Sequence, residues 1–172
     1  MLRAGADLPA ADEVEDLYAL ASTSATPPEP PEVAAMYAAL YDLSLDRSDL
    51  IAVSAREVGE LVGFGYGHRW FWGEQHDEWS AELSERLGDS AGLIEGGFVV
   101  ALLAVHPHFT RAGLGFELLK RIMVASGAAV HWLQTTDVDS PASRLFTRMG
   151  YRRLGHGPQA SDGRPGRVLR HG

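Results

Sequence analysis

Apolar residues at helical spacing open the chain. Residues 11–21 and 32–43 carry apolar side chains at the intervals of amphipathic helices. The loop Thr26–Pro31 separates them, and Pro30 and Pro31 end any helix there while suiting the start of the next one. Two α-helices are therefore predicted at the start of the chain.

A β-hairpin is predicted next. Residues 51–57 and 61–67 are strand-like, and Val58-Gly59-Glu60 supplies a turn between them. Glycines 63, 65 and 67 share one face of the second strand. On that face they would let a ligand or another backbone approach, or they would mark a bulge or bend.

The second half of the chain contains an apolar run, a glycine-bearing loop and a helical pattern. Phe98–Val105 predicts a buried strand, and a leucine-rich helix follows Gly113 and Gly115. The first N–H groups of a helix have no intrahelical partner, and the helix start carries about half a positive charge. Because a glycine-lined start admits a phosphate, the pattern predicts an anion-binding loop.

Two common nucleotide-binding loops do not match this one. A P-loop ends in Gly-Lys-Ser/Thr, whereas Phe-Glu-Leu follows Gly115. The dinucleotide fingerprint needs a third glycine at the position of Leu118. A nucleotide-binding α/β module is therefore a weakly supported hypothesis.

The loop instead resembles motif A of the GCN5-related N-acetyltransferase (GNAT) superfamily. In that motif Val-x-Pro precedes Gln/Arg-x-x-Gly-x-Gly/Ala and a leucine-rich helix. Val105, Pro107, Gly113 and Gly115 match the pattern, whereas Thr110 stands in place of the usual Gln or Arg.

A later segment, Ser140–Tyr151, predicts a short helix with both ends marked. Ser140 is a good N-cap, Pro141 suits the first helical position, and Gly150 suits the stop. The segment is similar to motif B of the same superfamily, Ala-x-x-Leu-Tyr-x-x-x-Gly-Phe, with Phe146 at the tyrosine position. The two motifs follow each other in the superfamily's order and at its spacing.

The resemblance implies one α/β domain over residues 1–172. Its sheet would be mixed and mostly antiparallel, with six or seven strands, helices on both faces, and a splay between the fourth and fifth strands. It implies an N-acetyltransferase that transfers an acetyl group from acetyl-CoA to a primary amine by direct attack in a ternary complex, with no metal. The alternative is a catalytically weak or inactive acyl-CoA-binding or sensing domain of the same fold.

The resemblance also implies where the coenzyme lies. The pantetheine arm would hydrogen-bond the backbone of the fourth strand, and the pyrophosphate would meet backbone amides of the loop. The predicted contacts are Leu103, Ala104, Val105, Thr110, Arg111, Ala112, Gly113, Leu114, Gly115, Phe116 and Phe146.

The catalytic residues are not identified by the sequence. The superfamily's tyrosine acid is replaced by Phe146, and Phe98–Val105 contains no carboxylate to serve as base. A histidine can accept a proton near neutral pH. The candidate replacements are Glu95, His106, His108, His68, Glu74 and His76.

We expect the segment His68–Gly97 to determine acceptor specificity. Trp70, Trp72 and Trp79 lie in it beside carboxylates, an environment that suits a cationic amine. Alternatively, these aromatic side chains cover the sheet or a subunit interface. A small amine, an amino acid derivative, an aminoglycoside-like compound and a peptide or protein N-terminus are all compatible acceptors.

Composition narrows the class of protein. The 172 residues include 45% hydrophobic and 22% charged residues, as in soluble globular proteins. The chain has no cysteine, which excludes disulfides, thiolate metal sites and a covalent thioester route. No apolar run approaches the ~20 residues of a membrane span, and the N-terminus has no apolar signal segment, so a cytoplasmic location is predicted.

The formal net charge of -8 argues against a nucleic-acid partner. Arginines nevertheless concentrate late in the chain, where we expect most to be solvated and one or two to lie near the 3′-phosphate of coenzyme A. The resemblance also allows a homodimer. These arginines are Arg144, Arg148, Arg152, Arg153, Arg164, Arg167 and Arg170.

Overall fold

The computed structural model describes residues 2–4, 8–23, 29–160 and 163–172. Residues 26–28 of the predicted loop lie outside these ranges. The strands are β1 (Leu2–Ala4), β2 (Ile51–Glu57), β3 (Glu60–Arg69), β4 (Phe98–Val105), β5 (His131–Thr135), β6 (Arg152–Gln159) and β7 (Pro165–His171). The α-helices are α1 (Ala11–Ser22), α2 (Pro31–Ser44), α3 (Glu78–Leu87), α4 (Leu114–Ser126) and α5 (Pro141–Arg148).

The strands form a mixed sheet, as predicted. Their hydrogen-bonded order is β1-β2-β3-β4-β5-β7-β6. Strands β4 and β5 pair in parallel, whereas the pairs β1 with β2, β2 with β3, β5 with β7 and β6 with β7 are antiparallel. The chain divides into two compact units, Met1–His68 with Ala101–Ser126 and Arg69–Val100 with Gly127–Gly172.

In the first unit, β3 alternates large side chains with glycines. Phe64 and Tyr66 point to one face, where they join a buried cluster with Val14 and Leu17 of α1 and Tyr41 of α2. Because successive side chains of a strand point to opposite faces, the intervening glycines belong to the other face. Helices α1 and α2 therefore pack on the face that carries the large side chains, and a different element covers the glycine face.

Helix α4 covers that glycine face. A Cβ added at Gly63 would lie 3.0 Å from the side-chain ends of Leu114 and Leu118, and one added at Gly65 would lie 2.8 Å from Ile122 Cδ1. Gly63 and Gly65 therefore admit side chains of α4, and the backbone carbonyl of Leu102 in β4 also lies close to Gly65. The first unit thus has helices on both faces of the sheet, which confirms the predicted layering.

The second unit has its own core, built around tryptophan. Trp70 and Trp132 are buried and meet edge to face, with ring centroids 4.9 Å apart. Leu83 and Leu87 of α3 join the same cluster with Val168 of β7. Asp77 caps α3, since its carboxylate accepts hydrogen bonds from the Ser80 backbone at 3.0 Å and hydroxyl at 2.5 Å. Asp is a favoured N-cap residue, which explains why this polar residue immediately precedes the helix.

Substituting Gly65 tests the contact between α4 and β3. We expect Gly65→Val to lower the free energy of unfolding by about 1–3 kcal/mol, the usual cost of overpacking. The added side chain would meet Ile122 at 2.8 Å and the Leu102 carbonyl oxygen at 3.2 Å. Gly73→Ala is the control, because no atom lies within 4 Å of a Cβ there. Urea denaturation showing equal stability for Gly65→Val and wild type would refute the contact.

The α3 cap predicts a defined pH dependence. The hydrogen bond from the Ser80 hydroxyl holds the pKa of Asp77 below its ordinary value of 3.8. A depressed folded-state pKa stabilises the protein above the unfolded pKa and ceases to do so as the pH falls through the folded one. Asp77→Asn keeps a capping oxygen, so we expect its stability deficit relative to wild type to be constant at neutral pH and to vanish in acid. Asp89→Asn, at an exposed position, is the control for the loss of one negative charge.

Candidate functional site

The end of β4 is anchored to β3 in the first unit. The His106 N–H donates to the Val62 carbonyl at 2.9 Å, which continues the strand pairing one residue beyond Val105. Ala104 is buried in the core, while Leu103 and Val105 are half-buried. The backbone of the predicted pantetheine-binding strand is therefore held by its neighbour and by its side chains.

A single 3₁₀ turn, Pro107–Phe109, follows the strand. Both the N–H and the hydroxyl of Thr110 donate to the Pro107 carbonyl, the hydroxyl at 2.7 Å. The Thr110 side chain thus folds back and closes its own turn. The superfamily usually has Gln or Arg at this position. In this chain the Thr110 side chain instead stabilises its own turn.

Two residues with positive φ complete the loop. Gly113 has φ of 82°, and Arg111 has φ of 70°, a conformation uncommon for a residue with a side chain. The first helical hydrogen bond runs from the Glu117 N–H to the Gly113 carbonyl at 3.1 Å. Gly113 is therefore the N-cap of α4, and the Ala112 N–H closes a turn onto the Phe109 carbonyl just before it.

The helix start presents three backbone donors. Because Gly113 accepts the first helical bond, the N–H groups of Leu114, Gly115 and Phe116 have no acceptor within α4. Arg111 beside them is exposed, and within the described ranges its guanidinium has no ion pair or hydrogen bond. These donors, the helix dipole and one free cation are suited to an anion such as a phosphate.

Packing fixes this helix start in place. Leu118, Leu119 and Ile122 are fully buried on one face of α4. The Leu114 side chain lies against Gly63, so its backbone N–H stays at the loop while its side chain packs on β3. The predicted residues Thr110–Phe116 thus form one continuous segment, made of the loop and the first turn of α4.

The ladder between β4 and β5 is short. In the part of the chain that the structure describes, it consists of the pairs Phe98 with His131 and Val99 with Trp132. Among the described residues, the ladder includes none of Leu103, Ala104 and Val105, the strand residues predicted to bind the coenzyme arm.

Histidine 106 is poorly arranged to act as a base. Its Nδ1 accepts the His108 N–H at 3.2 Å, so the proton of the neutral ring is assigned to Nε2. Neither ring nitrogen then has a free lone pair for an amine proton. His108 packs against the same ring at a centroid distance of 5.0 Å and is exposed.

The other proposed proton acceptors belong partly to the first unit and partly to the second. His68 lies near the end of β3 in the first unit, whereas Glu74, His76 and Glu95 belong to the second. Glu95 accepts the Trp72 backbone N–H at 2.9 Å, which gives it a structural role. Glu74 and His76 are exposed.

The tryptophans of the segment His68–Gly97 are largely committed to packing. Trp70 is buried between Trp72 and Trp132, and the Trp72 indole donates to the Ala91 carbonyl at 3.0 Å. Trp79 is 40% exposed. The structure therefore favours the hypothesis that the aromatic segment covers the sheet of its own unit.

Phe146 lies on α5 in the second unit. It is buried and packs against Tyr151 with a centroid distance of 5.9 Å. Helix α5 begins with the predicted N-cap, Ser140, and the structure adds a capping box in which Ser140 and Ser143 exchange hydrogen bonds. The motif B segment thus has the predicted helix and cap, with an apolar side chain at the tyrosine position.

One polar cluster in the first unit was not predicted from the sequence. The Tyr18 hydroxyl donates to Glu29 Oε2 at 2.7 Å, and the Tyr18 and Tyr37 rings lie 4.7 Å apart. Burial raises the pKa of both tyrosines, so both hydroxyls stay protonated at neutral pH. Tyr18 and Tyr37 fall at the spacing of the core residues of α1 and α2, so this spacing does not distinguish them from ordinary core residues. The one signal available in the sequence was a carboxylate, Glu29, between two prolines.

Other kinds of site find little support in the described ranges. They contain no group of three or more His, Cys, Asp or Glu residues arranged to hold a metal. Within those ranges no helix is both long and apolar enough to cross a membrane.

Comparison with known proteins decides the family. A family model described as "Acetyltransferase (GNAT) family" matches residues 13–151, most of the chain. The chain belongs to the GNAT family of acetyltransferases. Comparison with curated protein sequences gives no significant match.

Solved structures share the GNAT fold at low sequence identity. A GNAT-family protein from Desulfovibrio desulfuricans has a TM-score of 0.68 and 18% identity, covering 99% of this chain and 97% of its own. An aminoglycoside 6′-N-acetyltransferase complexed with coenzyme A has a TM-score of 0.65 and 17% identity, covering 99% and 96%. The ribosomal-protein-S18-alanine N-acetyltransferase of Escherichia coli has a TM-score of 0.59 and 15% identity, covering 99% and 92%.

Two glycines that flank α4 in the sequence test the anion site. Gly113 and Gly127 both have positive φ, and neither would meet an atom within 4 Å if a Cβ were added. Gly113→Ala and Gly127→Ala should therefore lose similar stability, about 1 kcal/mol each, from backbone strain. We expect only Gly113→Ala to weaken coenzyme A binding, by about tenfold, the equivalent of losing one or two amide hydrogen bonds.

Isothermal titration with coenzyme A and thermal unfolding of both variants would separate the two effects. Equal affinity of Gly113→Ala and Gly127→Ala would remove the loop from the coenzyme site.

Proposed function

We propose that the chain is an N-acetyltransferase that binds acetyl-CoA at the start of α4 and acetylates a primary amine by direct attack in a ternary complex. The observation that carries the proposal is the trio of N–H groups at Leu114, Gly115 and Phe116, which have no acceptor in the helix. Arg111 adds an exposed cation beside them. The coenzyme's pyrophosphate has the charge and size that such a helix start binds.

The strand before the loop would hold the rest of the coenzyme. In the proposal, the backbone of Leu103, Ala104 and Val105 hydrogen-bonds the pantetheine arm as an added strand would. The short ladder between β4 and β5 supports this role, since it does not occupy those residues. Phe146 stays a predicted coenzyme contact, on the strength of its motif position.

The proposed acetyl transfer requires few side-chain groups. Bound acetyl-CoA supplies an activated thioester; the neutral amine nitrogen forms a bond to the carbonyl carbon, the carbon–sulfur bond breaks, and a thiolate leaves. A backbone N–H can polarise the carbonyl oxygen, and alignment of the two reactants supplies much of the rate. The amine must lose a proton and the thiolate gain one, so the proton released by the amine can pass through water to the thiolate, whose conjugate thiol has a pKa near 8.5.

The cluster of Tyr18, Glu29 and Tyr37 is the proposed seat of the acceptor's cationic group. It combines one carboxylate with two aromatic rings, the set of groups that attracts an ammonium through ion pairing and cation–π contact. It lies in the same unit as the loop. That unit contains thirteen acidic and six basic residues, so its field favours a cation.

Similar structures support an amine as the acceptor class. One is an aminoglycoside 6′-N-acetyltransferase and another a ribosomal-protein-alanine N-acetyltransferase. A small polyamine or amino sugar and a peptide N-terminus are therefore the acceptor classes with which to begin a screen.

A second candidate function is acyl-CoA binding with weak or no turnover. Phe146 has no proton to give, Phe98–Val105 has no carboxylate, and His106 has its Nδ1 occupied. These features favour a domain that senses acyl-CoA. Coenzyme A binding without any acetyl-CoA consumption across the amine screen would select this function.

Glu29 provides the test of the acceptor site. With an amine found by screening acetyl-CoA consumption, we expect Glu29→Gln to raise the acceptor KM about tenfold or more, because the variant removes the paired charge. Its affinity for coenzyme A should not change. Glu32→Gln, exposed on α2, is the matched control and should retain wild-type KM. Equal KM values for the two variants would place the acceptor elsewhere.

A further inference from the structure

Helix α2 is apolar on two opposite faces. One face is buried in the first unit through Ala34, Ala38 and Tyr41. A surface helix normally has polar side chains on its other face, and a helix that is apolar all round is normally covered on every side. The second apolar face of α2 therefore requires an explanation. We refer to it as the outer stripe, which consists of Val33, Met36, Leu40 and Leu43.

Most of the outer stripe is exposed to solvent. Met36 and Leu40 are 48% and 47% exposed, and Leu43 is 77% exposed. Residues three and four apart are neighbours on the surface of a helix, so these side chains form one continuous apolar surface. A single exposed leucine is ordinary, whereas a continuous apolar surface is typical of an interaction site.

The spacing of the outer stripe indicates what kind of element would cover it. Its residues follow one another at intervals of three, four and three. These are the intervals of the a and d positions of a heptad repeat, with which one helix interlocks its side chains with those of another. At 1.5 Å per residue the stripe is about 15 Å long, so it matches an α-helix of about three turns.

The charges of α1 and α2 indicate the chemistry of that helix. Four acidic residues lie in α1 and two in α2, and neither helix contains a basic residue. Glu32 and Asp42 of α2 and Glu15 of α1 are exposed. Arg47, the first basic residue after α2, pairs with Asp49 at 2.9 Å. Because the charges beside an apolar seam determine which partner is accepted, this surface favours a helix with basic flanks.

The same charges disfavour a second copy of the chain as the occupant, since it would bring a second pair of acidic helices to the interface. We propose that the outer stripe docks an amphipathic α-helix with basic flanking residues, supplied by a different polypeptide. The proposal does not rest on the proposed function, because neither the loop before α4 nor the cluster of Tyr18, Glu29 and Tyr37 contributes to it.

Fluorescence anisotropy with three labelled synthetic peptides, each three heptads long, tests the proposal. The basic seam peptide has Val at the a positions, Leu at the d positions and Lys at the e and g positions. The second peptide replaces these lysines with Glu. The third keeps the lysines but has Gln at the a and d positions, so that it measures the effect of charge alone.

Two variants locate the binding surface. Leu43→Gln changes the outer stripe, and Val124→Gln on α4 is the matched control. Leu43 is 77% exposed and Val124 is 74% exposed, so neither substitution disturbs the core. Thermal unfolding verifies that both variants fold.

We expect the basic seam peptide to bind wild type at least tenfold more tightly than either of the other peptides. Leu43→Gln should weaken its binding about tenfold, as expected for the loss of one leucine from an apolar contact, while Val124→Gln should retain it. The proposal is overturned if the basic seam peptide does not bind, if the peptide with Gln at a and d binds equally well, or if the two variants behave alike. A dimer in sedimentation of the protein alone that Leu43→Gln dissociates would assign the stripe to a second copy and also overturn it.

Discussion

The close packing of α4 on the glycine face of β3 is the contact on which the candidate site depends. Gly63 and Gly65 have no side chains, so Leu114, Leu118 and Ile122 can lie directly on the strand. The helix start is thereby held beside the end of β4. The packing of the core also fixes the position of the N–H groups that have no acceptor within the helix. An anion site of this kind is made by backbone and packing, with side-chain charge as an addition.

This origin explains why an unusual residue at position 110 is tolerated. The Thr110 hydroxyl donates to Pro107 and stabilises the turn, while the amides of Leu114 to Phe116 stay available. The same logic separates two parts of the proposed activity. Coenzyme binding would rest on backbone groups that the fold supplies, whereas proton transfer would pass through water, because Phe146 replaces the family's tyrosine.

The sequence predicted the elements better than it predicted their contacts. Periodicity, caps and motif spacing located β4, α4 and α5, because these signals are local and repeat over several residues. The uses of individual polar groups were not predictable: Glu95 bonds the Trp72 backbone, and His106 accepts the His108 N–H. The partners of Tyr18 and Trp70 are equally non-local, since Glu29 and Trp132 are brought to them by folding. The glycines of β3 were correctly placed on one face, but only the tertiary structure identifies α4 as the element they admit.

We propose that the amides at the start of α4 bind the pyrophosphate of coenzyme A. Amide chemical shifts of isotope-labelled protein test this proposal, with coenzyme A compared against pantetheine, which lacks the pyrophosphate. The claim predicts that coenzyme A shifts the Leu114, Gly115 and Phe116 resonances strongly and that pantetheine leaves them nearly unchanged. Saturating coenzyme A with no shift at these three amides would contradict it.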